Sequence, residues 1–115
     1  MNTSILVLIK SNPLENHRPV EAIRIALGLA SSDHEVKIVL LNQAPLLLAD
    51  NTEDIVDGDI LQKYLPTFIE LEQTFFVEEG SLKAHPLEDS DYKIQPVSFD
   101  EITEMIRLAG RFFIF

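Results

Sequence analysis

Ile5-Leu6-Val7-Leu8-Ile9 is an unbroken apolar run. A strand without polar alternation is covered on both faces, the situation of a central strand in a parallel sheet. Val36-Lys37-Ile38-Val39-Leu40-Leu41 repeats the pattern with one interruption, and Thr74-Phe75-Phe76-Val77 is a shorter version that ends on Glu78 and Glu79. Tyr92 to Val97 predicts a fourth strand, placed at an edge or a strand end because Pro96 has no N–H to give to a ladder. Arg111-Phe112-Phe113-Ile114-Phe115 predicts a fifth.

Between these runs the apolar spacing changes to three and four. Pro19 suits a first helical position, and over 19–32 Val20, Ile23, Leu27 and Ala30 make one stripe flanked by Ala22, Ile25, Ala26 and Leu29. Only Glu21, Arg24, Gly28 and Ser31 are left for water, so this helix needs cover beyond one sheet face, from a neighbouring helix or another subunit. Gln43 to Ala49 reads as a short apolar helix or loop with Pro45 near its start, followed by an acidic connection, Asp50 to Asp59. Asp59 is a candidate cap for a helix carrying Leu61, Tyr64, Leu65, Phe68 and Leu71, in which Pro66 should force a kink or a restart. Ser98-Phe99-Asp100-Glu101 is a capping box that opens a last helix, with Phe99, Ile102, Ile106 and Ala109 as its apolar face and Gly110 as its C-terminal cap. Alternating strands and helices predict a single α/β domain over residues 1–115, three-layer α/β/α with a five-stranded, largely parallel sheet.

Composition narrows the chemistry. The 115 residues contain no cysteine, which removes disulfides, thiolate metal ligands and thiol nucleophiles from this chain. Nineteen Asp and Glu against nine Lys and Arg give a net charge of −10, a field that repels nucleic acid and anionic lipid and favours a basic protein face as partner. The N-terminal apolar run is far shorter than the roughly 20 residues of a membrane span and lacks the flanks of a signal peptide, so a cytoplasmic location is expected.

In an open parallel sheet, ligands sit beyond the carboxyl ends of the strands. The candidates delivered there are Ser11 and Asn12 after the first strand, Asn42 and Gln43 after the second, and Glu78, Glu79 and Ser81 after the third. His17 and Arg18 precede the first helix and could hold an anion at its positive end. The first loop, SNPLENHRP, contains no glycine, which argues against a dinucleotide, flavin or phosphate cradle; no cofactor is expected. His17, His34 and His85 stand on separate loops, none at helical spacing from a second ligand, so no metal site is expected. Glu78 and Glu79 point to opposite faces if the strand continues through them, and their simplest role is as solvated turn acids. The acids of HPLEDSDY read as a solvated turn as well.

The stretches ILVLIKSNPLENHRPVEAIRIALGLASSDHEVKIVLLNQAPLLL and FFVEEGSLKAHPL, followed by a short helix and a terminal FFIF strand, resemble the DsrE/DsrF/TusC-like family of small sulfur-relay proteins. The resemblance implies a parallel α/β/α fold, assembly with like or related subunits, and in some members a persulfide-carrying cysteine just after the third strand. Glu78 and Glu79, then Ser81-Leu82-Lys83, occupy those positions here, with His85-Pro86 where Arg-Gly would fall. Asp33-His34 replaces a glycine before the second strand, and Asn42-Gln43-Ala44 replaces an Asp-Gly turn after it. The resemblance is therefore closest to the cysteine-free DsrF/TusC-like subunits. It implies a non-catalytic, oligomer-forming accessory subunit in sulfur transfer, with itself or related subunits as partners; the charge and the short apolar run already argue against nucleic acid and membrane as partners. A small-ligand-binding or regulatory module built on the strand-end rim is the alternative, and an enzyme working through carboxylate and histidine a third reading.

Overall fold

The computed structural model describes residues 4–32, 34–50, 52–87 and 90–115. Asp33, and Glu88 and Asp89 of the acidic turn, lie outside them. The chain runs β1 (Ser4–Ile9), α1 (Arg18–Ala30), β2 (Glu35–Leu40), a 3-10 helix (Ala44–Leu48), α2 (Gly58–Glu70), β3 (Thr74–Glu78), α3 (Glu79–Ala84), β4 (Lys93–Val97), α4 (Phe99–Leu108) and β5 (Arg111–Ile114). The strands form one sheet in the order β4-β3-β2-β1-β5, and every neighbouring pair is parallel. The predicted α/β/α architecture is the one observed.

Strand pleating divides the core in two. Val7, Ile9, Ile38, Leu40, Phe75 and Val77 point to one face, where α1, α2 and the 3-10 helix bury Val20, Ile23, Ala26, Leu47, Leu61, Leu65 and Phe68 against them. Phe75 meets Phe68 edge-on at 5.5 Å between ring centres and Tyr92 at 5.8 Å. Leu6, Leu8, Val39 and Val97 point to the other face, which α4 covers with Ile102 and, partly buried, Met105, Ile106 and Ala109. As expected from its proline, β4 is an edge strand.

Of the two covers expected for α1, a neighbouring helix is observed: α1 lies against α2 and the 3-10 helix as well as β1 and β2. Other local expectations shift. Pro66 sits inside α2, which runs unbroken through it because Leu61, Leu65 and Phe68 anchor the helix in the core on both sides. The cap position of α2 falls to Asp57, left-handed at φ 61°, and not to Asp59. Next to it, Gly58 is required by close packing: a Cβ there would come within 2.5 Å of the Thr52 carbonyl oxygen. The Ser98–Glu101 capping box forms in both directions, at 3.1 Å each. Ala109 rather than Gly110 ends α4, and Gly110 instead donates its N–H to the Ser4 carbonyl at 3.0 Å. Phe99 remains 63% exposed and is not part of the apolar seam of α4.

Truncating Phe68 or Phe75 to Ala should lower unfolding free energy by about 3–5 kcal/mol in urea titrations, through lost burial and a residual cavity. Phe99→Ala should change it by no more than about 0.5 kcal/mol, as at other exposed positions.

Candidate functional site

Adjacent strands β3 and β4 send the chain to opposite faces, β3 into α3 on the α1 side and β4 into α4 on the other. That reversal is the condition under which an open parallel sheet forms a crevice at its carboxyl end. Flanking it, an open depression of about 440 Å³ is lined by Asn42, Gln43, Glu78, Gly80, Ser81 and His85, with Ala84.

Glu78 is not the solvated acid expected. It is 8% exposed and is the N-cap of α3: its carboxylate accepts from the Gly80 N–H, from the Ser81 N–H at 3.1 Å and from the Ser81 hydroxyl at 3.1 Å. The sequence reading placed a turn at Gly80, where the chain instead starts a helical turn at Glu79. A carboxylate at that point satisfies N–H groups the helix cannot satisfy itself, which makes its burial tolerable. Gly80 keeps the cap tight, because a Cβ there would lie 3.1 Å from a Glu78 carboxylate oxygen. Glu79, one residue on, is exposed.

The cap extends into a clasp across three strands. Ser81, 6% exposed, accepts the Asn42 backbone N–H on its hydroxyl at 2.7 Å. The Asn42 side-chain amide donates to the Lys10 carbonyl at 3.3 Å. Asn42 takes up φ 57°, a left-handed conformation that asparagine tolerates better than most residues. The ends of β1, β2 and β3 are thus tied through Lys10, Asn42, Ser81 and Glu78.

The remaining candidates lie apart from this clasp. Asn12 closes its own turn by accepting the Leu14 N–H at 3.0 Å, and the Ser11 N–H donates to the Phe115 carbonyl at 3.3 Å. His17 is at the start of α1 but makes no side-chain cap, and Arg18 reaches the Ile114 carbonyl at 3.4 Å. Gln43 precedes the 3-10 helix without capping it. His85 lines the depression and was not among the sequence candidates, because a residue just beyond a one-and-a-half-turn helix carries no spacing signal. Among the described residues no group of three His, Cys, Asp or Glu is placed to hold a metal ion, and no helix is long and apolar enough to cross a membrane.

Charge perturbation is found elsewhere on the surface. Hydrogen bonds from Arg24 and Arg107 hold the exposed carboxyls of Glu21 and Glu104 below their ordinary range, and burial, with the charge of Asp91, raises the Tyr92 phenol. None of these groups lines the depression.

The sequence model of the DsrE/DsrF-like family matches residues 3–114. Among solved structures, the ychN protein of E. coli superposes with a TM-score of 0.78 at 12% identity, over 98% of this chain and 99% of that one. No curated protein matches the chain by sequence.

Glu78→Gln should cost about 1–3 kcal/mol of stability, because an amide places its NH₂ against N–H donors that need acceptors. Glu79→Gln should stay within about 0.5 kcal/mol, and paired denaturant titrations distinguish the two.

Proposed function

The chain belongs to the DsrE/DsrF-like family, a family associated with sulfur relay, and on that footing we propose that it is a non-catalytic, DsrF/TusC-like accessory subunit that associates with like or related subunits in the cytoplasm. The observation that carries this reading is the state of the third strand's end. A persulfide carrier needs a thiolate there, and the chain has no cysteine. Glu78 holds the strand end instead, and its acceptor capacity is taken up by Gly80 and Ser81 in capping α3. A buried carboxylate committed to three donors is poorly placed to act as a nucleophile or a mobile base, which also weighs against an enzyme working through Glu78. The role left is to shape a partner's site and hold an assembly together.

A small-ligand module remains the second reading, favoured by one observation. Gln43 and His85, whose side chains can hydrogen-bond a small polar molecule, border the depression.

Sedimentation at micromolar concentration should show a species larger than the monomer, alone or with a related subunit added; monomer under both conditions would overturn the accessory-subunit reading. Intact mass after exposure to a persulfide donor should be unchanged, and a covalent gain of one sulfur atom would contradict the non-catalytic assignment. Thermal shift across nucleotides, sugars and amino acids tests the ligand reading, since a true ligand at a hundred times its dissociation constant adds about 2.7 kcal/mol.

A further inference from the structure

The two edges of the sheet are built differently. β4 carries Lys93, Gln95 and Pro96, the charge and the missing N–H that discourage a further strand. β5 carries no such protection along Phe112-Phe113-Ile114. Its register with β1 puts Phe112 and Ile114 beside Leu6 and Leu8 on the α4 face and Phe113 beside Val7 on the other. The three side chains stay 50%, 46% and 41% exposed in that order, and Leu108 at the end of α4 is 57% exposed. Four of the nine large apolar side chains exposed among the described residues therefore fall within 108–114.

The backbone of this edge is open over a short length. Phe115 donates its N–H to the Leu8 carbonyl at 2.9 Å and accepts the Lys10 N–H at 2.8 Å, so both its polar groups face β1. In a parallel ladder successive residues turn these groups to opposite sides. Phe113 accordingly faces β1, and Phe112 and Ile114 face outward. Arg18 meets the outward Ile114 carbonyl at 3.4 Å, which closes that end of the edge.

We propose that the β5 edge is a self-association surface on which β5 of a second copy pairs antiparallel about a two-fold axis at Phe112. The proposal rests on the reading of the chain as an associating subunit and names the surface it uses. The Phe112 N–H and C=O exchange hydrogen bonds with the same groups of Phe112 of the partner subunit, an isologous contact in which each copy supplies what the other lacks. The shortness of the open edge selects this occupant. A long foreign strand would run into Arg18 after one hydrogen-bonded pair, whereas a second four-residue β5 ends where the free edge ends.

Charge and area agree with a second copy. Residues 105–115 contain no Asp or Glu, Arg107 is paired with Glu104, and Arg111 is the one further charged side chain in the stretch, so most of the net charge of −10 lies away from this edge. The apolar surface left on Leu108, Phe112, Phe113 and Ile114 is on the order of 300 Å², a fitting apolar centre for a half-interface of about 800 Å².

Sedimentation velocity over a concentration series, with thermal melts as a check on folding, tests the proposal on four proteins: the unaltered chain, Phe112→Pro, Ile114→Lys and Leu71→Lys. Phe112→Pro removes an outward N–H and no bond to β1. Ile114→Lys places a charge on the patch, and Leu71→Lys alters a 47% exposed apolar residue at the far end of α2. Association of the unaltered chain and of Leu71→Lys is expected, with the dissociation constant at least tenfold weaker for both β5 variants. Equal association of Ile114→Lys and the unaltered chain overturns the β5 surface and leaves the associating-subunit reading standing; this variant decides alone if Phe112→Pro does not fold. A monomer at every concentration overturns the β5 pairing, and the broader reading then survives only through a related subunit.

Discussion

A parallel sheet needs both faces covered, because its strands are apolar on both sides and each crossover must lay a helix on one face or the other. Here the first three crossovers put α1, α2 and α3 on one face, and only the last puts a helix on the other. The single helix α4 packs on Leu6, Leu8, Val39 and Val97, from β1, β2 and β4, and leaves Phe112 and Ile114 of β5 half exposed. The exposure of Phe112 and Ile114 follows from the same winding that builds the fold.

The winding also sets where chemistry would be sought. The chain leaves β3 and β4 toward opposite faces of the sheet, and the end of β3 is the point where a ligand or a nucleophile would meet solvent. The sequence puts a carboxylate there and the fold turns it inward, onto Gly80 and Ser81, with Ser81 linked through Asn42 to β1. The result is a rim tied together by its own polar groups. Combined with the absence of cysteine, this moves the centre of interest from the strand ends to the sheet edge, where apolar surface and open backbone coincide.

Much of the fold was legible because it rests on patterns of length. Continuous apolar runs marked β1 and β2 as doubly covered, Pro96 marked β4 as an edge, and the Ser98–Glu101 spacing marked the start of α4. What was not legible depends on neighbours distant in sequence. Glu78 looks solvated until Gly80 and Ser81 curl back onto it, and Asn42 gives no local hint of the hydroxyl 39 residues away that its N–H meets. The apolar excess of α1 called for a neighbouring helix or a second subunit; α2 is that neighbour and takes most of it, and half-exposed apolar surface is found on β5. Helix content predicts how much apolar area must be hidden, whereas only the topology decides which element is left without cover.

The most direct measurement of this account is amide hydrogen exchange at Phe112, Phe113 and Ile114 as protein concentration is raised. Phe113, turned toward β1, should be protected throughout. Phe112 should exchange freely in dilute solution and gain protection as the β5 edges pair, and Ile114, beyond the paired residues, should change less. Rapid exchange of Phe112 at every concentration, with Phe113 still protected, would contradict the claim that this edge is where the chain associates with itself.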